Sequence, residues 1–491
     1  MNALPGTAPE TPTLEGLRAC FEGAAPAMMA TCAPDGTPNL SYLSQIQYVD
    51  AEHVALSFQF FNKTRANLLA NPATQVLVPH PDTAAMFRLD LRYLRTETAG
   101  PLFEVMRAKL AGIASQTGMA DVFRLRGVDL HRVTRIVQLT RGRTPTLAPG
   151  AAARSLAALR FASARLASAA DLSTLLDGTL AALAEAFGIA HAMVLLLDRR
   201  ADRLYTVASR GYASSGAGAE IPMGAGLVGV AARERVPIRI NHHAAEYSYF
   251  HAIRESIERS GDVDRLETAI PLPGLRQSRS QLAVPMVAAG RLLGVLFVES
   301  PEDHRFGYDD EDALVALGAQ LAATMSLLQE TGSGDAESEP GLASAPGMPP
   351  PRIVPFAQRD APPSSQPCLP ASHRSSAPHP GDLLAPLPLR RYTHDDSVFL
   401  GDEYLIKGVA GAVLWLMLSD HAAHGRVAFS NRELRLDPRL RLPDVADNLE
   451  ARLVLLQRRL VDRGAPIRLE RAGRGRLRLE VGRALQLIEV A

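Results

Sequence analysis

Residues 31–72 read T-C-A-P-D-G-T-P-N-L-S-Y-L-S-Q-I-Q-Y-V-D-A-E-H-V-A-L-S-F-Q-F-F-N-K-T-R-A-N-L-L-A-N-P. A strand enters a turn at Asp35-Gly36, a dipeptide suited to a tight reversal, and leaves as an alternating strand through Leu40 and Tyr42. A second strand is expected from Val54 to Phe60, after which a basic turn opens a helix. Asn62 can cap that helix, Lys63 and Thr64 sit in its first turn, and Arg65 follows. Backbone N–H groups, a hydroxyl and an ammonium at a helix start make an anion site suited to a phosphate. A capped helix with a solvated lysine accounts for the same residues without a ligand.

With D-G-T-P-N and N-L-L-A-N-P in place, this stretch resembles the pyridoxamine-5′-phosphate-oxidase-like FMN-binding split barrels. The resemblance covers most of residues 25–140. It implies a small β-barrel with helices that binds FMN, with Asn62, Lys63, Thr64 and Arg65 at the flavin phosphate. It also implies a homodimer, since such barrels place FMN at a dimer interface. Two departures matter. Ser41 and Ile46 stand where the oxidases carry basic residues, and no closing Arg-x-His pair for a pyridoxal substrate is present. The resemblance therefore supports a flavin-binding barrel and speaks against pyridoxamine phosphate oxidation itself.

The whole chain of 491 residues is long enough for about three domains. Hydrophobic content of 47% with 21% charged residues places it among ordinary globular proteins. A net charge of zero leaves only local patches to argue for a charged partner. Cys20, Cys32 and Cys368 have no metal or redox spacing, which suggests a reducing, cytoplasmic setting. The first ten residues lack a signal-peptide pattern, and the apolar run Val409–Leu418 is too short to span a bilayer. Of 35 prolines, 14 fall within residues 331–390, a composition that predicts an extended, disordered linker. The expected layout is a barrel domain over 1–146, an α/β domain over 147–330, the linker over 331–390 and a small domain over 391–491.

Within the second segment, G-A-G-L-V-G at Gly224–Gly229 fits G-x-G-x-x-G. No parallel crossover unit surrounds it, so a helix start in another fold is the better reading. The wider run Ile221–Ile240, the run Gln281–Ser300 and F-G-Y-D-D-E-D-A-L at Phe306–Leu314 together resemble the GAF sensory domain. The resemblance spans 155–330 and implies an α/β module with a central antiparallel sheet that senses an unknown small molecule. The cyclic-nucleotide signature is missing, and no cysteine lies between residues 33 and 367 for covalent bilin attachment. His242, His243 and His251 sit among Tyr247, Tyr249 and Phe250. Without Asp, Glu or Cys at ligand spacing, a polar lid is favoured over a haem or metal site, and no metal is assigned.

The last segment reads as helix, short helix, longer helix and hairpin. Leu449, Leu453, Leu456 and Leu460 form a core stripe, with Asn448, Arg452 and Arg459 together on one flank. The hairpin turns at Ala472-Gly473 and carries Arg471, Arg474 and Arg476. From Arg452 to Arg483 ten arginines face three acids. The pattern resembles the winged-helix domain of response regulators and implies duplex DNA as a partner through those six residues. A winged helix used for protein contact is the competing reading. No catalytic residue is assigned. The leading expectation is a cytoplasmic, flavin- and ligand-sensing regulator with a DNA-binding output; the alternative is an FMN-dependent oxidoreductase with a regulatory GAF domain.

Overall fold

The computed structural model describes residues 12–21, 27–43, 45–58, 63–81, 83–116, 125–142, 151–240, 270, 272–275, 278–334, 386–440, 449–473 and 475–490. The first unit contains β1 (Ala27–Cys32), β2 (Pro38–Leu43), β3 (Ile46–Tyr48), β4 (His53–Phe58), α1 (Lys63–Ala70), β5 (Ala73–Pro79), β6 (Met86–Glu97), α2 (Pro101–Gln116) and β7 (Gly127–Thr140). Its seven strands form one antiparallel sheet in the order β2-β1-β5-β6-β7-β4-β3. The D-G turn closes as expected: Ala33 N–H donates to the Thr37 carbonyl at 2.9 Å, and Gly36 takes a positive φ of 86°. Alternation on β6 sends Phe87, Leu89 and Leu91 into the core with Met29, Val76 and Leu68. On β2, an edge strand, the phase is opposite. Leu40 and Tyr42 are each 74% exposed, and Asn39 and Ser41 face α1.

The second unit contains α3 (Ala151–Ala167), α4 (Leu172–Ala186), β8 (His191–Asp198), β9 (Arg203–Arg210), β10 (Glu220–Pro222), α5 (Gly226–Glu234), β11 (Ile238–Ile240), β12 (Ser280–Ala288), β13 (Arg291–Ser300) and α6 (Tyr308–Gly334). Its sheet runs β10-β9-β8-β13-β12-β11 with every pair antiparallel. The pairing rules out a parallel dinucleotide-binding unit at Gly224–Gly229, which instead opens α5. Gly229 is required there because a Cβ would lie 2.5 Å from the Pro222 carbonyl oxygen. Helix α6 is long and apolar enough by composition to cross a membrane. Its stripe of Leu314, Leu317, Leu321 and Met325 is buried in the core beneath α3 and β12 instead. Each such side chain stabilises by about 1.5–3 kcal/mol when fully buried.

The third unit departs from the expected order. Three strands precede its first helix: β14 (Leu387–Tyr392), β15 (Ser397–Leu400) and β16 (Glu403–Ile406). Then come α7 (Gly408–His424), β17 (Ala428–Ser430), α8 (Asn431–Leu436), α9 (Leu449–Asp462), β18 (Ile467–Arg471), β19 (Arg476–Val481) and β20 (Leu485–Val490). β20 returns to lie parallel to β14, giving a sheet β16-β15-β14-β20, while β17-β19-β18 forms a second. The early strands are short and interrupted by Arg390, Arg391, Asp395 and Asp396, so period-two alternation has too few residues to show. α6 extends to Gly334 and β14 begins at Leu387, both inside the stretch expected as linker; residues 335–385 lie outside the described residues.

Candidate functional sites

The candidate site of the first unit is built at the start of α1. Lys63, its first residue, is exposed, while Asn62 lies outside the described residues. Thr64 Oγ1 accepts from Asn39 Nδ2 at 2.8 Å and donates to Ser41 Oγ at 3.1 Å, tying α1 to β2. Lys63 stands near the D-G turn: the Thr37 N–H and hydroxyl hold the Asp35 carboxyl below its ordinary value, with Lys63 adding attraction. Arg65 is turned inward. Its Nη1 meets Asp129 Oδ1 at 2.5 Å and its Nη2 donates to Thr96 Oγ1 at 2.7 Å. Thr96 Oγ1 also lies 2.6 Å from Asp129 Oδ1 and 2.7 Å from the Tyr93 hydroxyl. The guanidinium lies 4.6 Å from the Phe58 ring centroid. Beside it His131 is fully buried, and burial pushes its imidazole below the ordinary value, so it stays neutral. Of the expected phosphate residues that are described, Lys63 therefore faces solvent and Thr64 borders it, while Arg65 braces the seven-stranded sheet. The Asp129 and Thr96 partners had no local signal, because strand pairing brings them from more than thirty residues away.

In the second unit, Glu299, Gln281 and Ser278 form a buried polar cluster at one end of β12 and β13. Glu299 accepts from the Leu275 N–H at 3.0 Å, and Gln281 Nε2 donates to Ser278 Oγ at 3.1 Å. Tyr212 lies alongside; burial pushes its phenol far above the ordinary value, and the nearby Glu299 charge adds to the rise. Glu299 sits within the run Gln281–Ser300, where one carboxylate at a strand end carries no local sign of burial. His242, His243 and His251 lie outside the described residues, among which no group of three potential metal ligands occurs.

The third unit corrects the expected nucleic-acid face. Arg452 and Arg459 are 7% and 6% exposed and do not share an open flank. Arg452 Nη2 pairs with Asp198 of the second unit at 2.6 Å and its guanidinium lies 4.1 Å from the Tyr205 ring centroid. Arg459 Nε donates to the Leu405 carbonyl at 2.8 Å, and burial pulls its guanidinium below the ordinary value. Both faces of α9 are covered, one by its own domain and one by β9 and α4, so its arginines go to internal partners. Arg471 pairs with Glu450 at 3.0 Å and with Asp171 at 2.7 Å. Arg476 is exposed on β19 and, with Asn431, Glu450 and Gln457, lines a cleft at the base of the hairpin. Asn448 and Arg474 lie outside the described residues. Arg468 and Arg478 are exposed on the same outer hairpin face as Arg476.

Two further sets of contacts join the first unit to the second. α2 packs on α5 and β11, where Arg107 Nη2 meets Glu234 at 2.6 Å. Tyr308 is held between the guanidinium groups of Arg18 and Arg239, at 4.1 and 4.4 Å.

Residues 14–114 match the family model described as pyridoxamine 5′-phosphate oxidase, and residues 169–326 match the GAF domain model. The chain thus carries an N-terminal domain like those of the pyridoxamine 5′-phosphate oxidases, followed by a GAF domain. Neither match reaches the third unit. Among solved structures, the GAF domain of an Acinetobacter phosphoenolpyruvate-protein phosphotransferase is 24% identical, covering 37% of this chain and 97% of that one, with a TM-score of 0.29. A free methionine-R-sulfoxide reductase from Neisseria meningitidis is 24% identical over 38% of this chain and 96% of its own, with a TM-score of 0.30. An FMN-binding protein from Syntrophomonas wolfei subsp. wolfei is 14% identical over 26% and 86%, with a TM-score of 0.23. No curated protein matches the chain.

Proposed function

We propose that this chain is a cytoplasmic regulatory protein in which a flavin-binding barrel and a GAF domain report to a DNA-binding winged helix. The observation that carries the reading is the direct packing between units: α2 of the barrel sits on α5, and α9 of the third unit sits on β9 and α4. A change at either sensing site thereby has a solid path to the output.

For the barrel, the family match and the cationic start of α1 favour FMN, with the phosphate at Lys63 and Thr64. The donor set fits: an exposed ammonium and a helix N-terminus suit a dianion, and Thr64 is held in place by Asn39 and Ser41. Bound flavin would supply a reversible redox change. The chain's own part is to anchor the phosphate through Lys63 and to keep α1 rigid through Arg65. The exposed Leu40 and Tyr42 on the edge strand β2 suit a second copy of the chain, in keeping with a homodimer. Lys63→Ala is expected to weaken FMN about tenfold, the loss of one charge-assisted contact. Flavin fluorescence titration measures it; equal affinity in the variant would remove the phosphate assignment. Steady consumption of NAD(P)H by the flavin-loaded protein would favour the oxidoreductase reading instead.

For the third unit, three helices followed by the β18–β19 hairpin support a winged helix. On the outer face of its hairpin the described cations are Arg468, Arg476 and Arg478, all exposed. Three phosphate contacts give a salt slope of about −2.7 in log K against log salt. Arg476→Glu with Arg478→Glu should lower duplex affinity about tenfold or more and flatten that slope, because both side chains are exposed on the outer hairpin face. Anisotropy titration at several salt concentrations decides it: binding indifferent to the reversal leaves protein contact as the role of the hairpin.

A further inference from the structure

We infer that the contact between the GAF domain and α9 is an autoinhibitory clamp, in which GAF carboxylates occupy the guanidinium groups that the winged helix would offer to DNA phosphates. The inference rests on the DNA-binding reading above. Four cations of the third unit meet four carboxylates of the GAF domain. Arg452 pairs with Asp198 at 2.6 Å, Arg458 with Asp177 at 2.8 Å, Arg471 with Asp171 at 2.7 Å and Lys407 with Glu220 at 3.0 Å. Two of these arginines lie on α9, and Arg471 ends the strand after it. Arg458 also donates to the Val207 carbonyl at 3.3 Å, and Ser215 bonds Asp462 at the helix end. Only the last residues of α9, Val461 and Asp462, are exposed. A duplex cannot reach a helix covered in this way.

The chemistry makes the two partners exclusive. A guanidinium fork suits a carboxylate and a phosphate equally well in geometry, so each arginine serves one or the other. Arg452 shows how far the helix is committed. It is nearly buried, stacked on Tyr205, with its charge met by Asp198. Burial raises the Asp198 carboxyl and the Arg452 charge outweighs it, so the pair stays ionised. An apolar contact supports the ion pairs, since the buried cluster of the GAF helices continues into Leu453, Leu455 and Leu456 of α9. The clamp is also well placed to sense a ligand. β9 carries Tyr205 and Val207 on the α9 side, while Leu204 belongs to the apolar cluster under α5 on the opposite face. Closed molecules do not bind DNA, so the apparent affinity is the intrinsic one scaled by the open fraction.

The full-length chain carrying Asp171→Asn, Asp177→Asn and Asp198→Asn tests the clamp. Asparagine keeps the volume, and at Asp171 it keeps the cap of α4. Two quantities are read: amide exchange across Leu449–Asp462, and anisotropy of a fluorescein-labelled mixed-sequence duplex at low salt. Faster exchange with duplex binding about tenfold tighter or more than wild type is the expected result. Faster exchange with unchanged binding overturns the clamp while leaving the DNA reading in place. Unchanged exchange also overturns it, because the carboxylates then do not hold α9. Faster exchange with no duplex binding by either protein removes the DNA reading itself, and the clamp with it. In a chain that keeps Asp171 and Asp177, Asp198→Arg should speed exchange across Leu449–Asp462 and the charge swap Asp198→Arg with Arg452→Asp should slow it again; exchange that stays fast in the swap would count against the pair as the lock.

Discussion

Arg65→Ala should destabilise the barrel by about 3–5 kcal/mol, the cost of leaving one member of a buried ion pair uncompensated. The Asp129 carboxylate, 9% exposed in the pair, would lose its cation, and Thr96 would lose a donor. The packing of the guanidinium on Phe58 and Tyr93 disappears as well. Replacing both partners with apolar residues, Arg65→Met with Asp129→Leu, should cost much less, because no charge is then stranded. Amide exchange of the paired β6 and β7 strands reads the barrel alone. A loss below about 1 kcal/mol for the single variant would mean that water reaches this pair. FMN affinity should fall in Arg65→Ala through loosening of α1, in contrast to Lys63→Ala, which should leave exchange unchanged.

The second large effect is expected at Arg459. Arg459→Ala should destabilise the third unit by about 2–4 kcal/mol, since charged hydrogen bonds and buried side-chain volume are lost together. The guanidinium holds the Leu405 and Tyr404 carbonyls, joining α9 to β16. Trp415, the single tryptophan of the chain, lies in α7 of this unit, so its fluorescence during urea unfolding reports the third unit. The transition should move to lower urea in Arg459→Ala and stay in place in the Arg476→Glu, Arg478→Glu variant. An unshifted transition in Arg459→Ala would show that the side chain is not structural.

These two arginines mark the boundary of what can be read locally. Both stood in the sequence as cations beside a helix start or on a helix flank, and both were expected to meet phosphates. Each proves to be an internal strut. A local pattern states that a residue is basic and on which side of a helix it falls; it does not state what packs there. Asp129 reaches Arg65 through the β4–β7 and β6–β7 pairings, and the Leu405 carbonyl reaches Arg459 from 54 residues away.

By itself, the sequence determined the features whose physics is local. The D-G turn, the helix opening at Lys63, the apolar stripe of α6 and the glycine run that begins α5 all follow from short-range sterics and periodicity, while the first two domains were legible through the family resemblances that their motifs carry. The tertiary structure alone decided which charges are open and which are internal. It turned Arg65 inward, laid α9 against Asp177 and Asp198, and left the hairpin face of Arg468, Arg476 and Arg478 in solvent. It also revealed the strands before α7, whose sheet is completed by β20 from the far end of the unit. The physical reason is the same throughout: a charge finds its partner across space, and pairing between distant segments is not written in the spacing of residues along the chain.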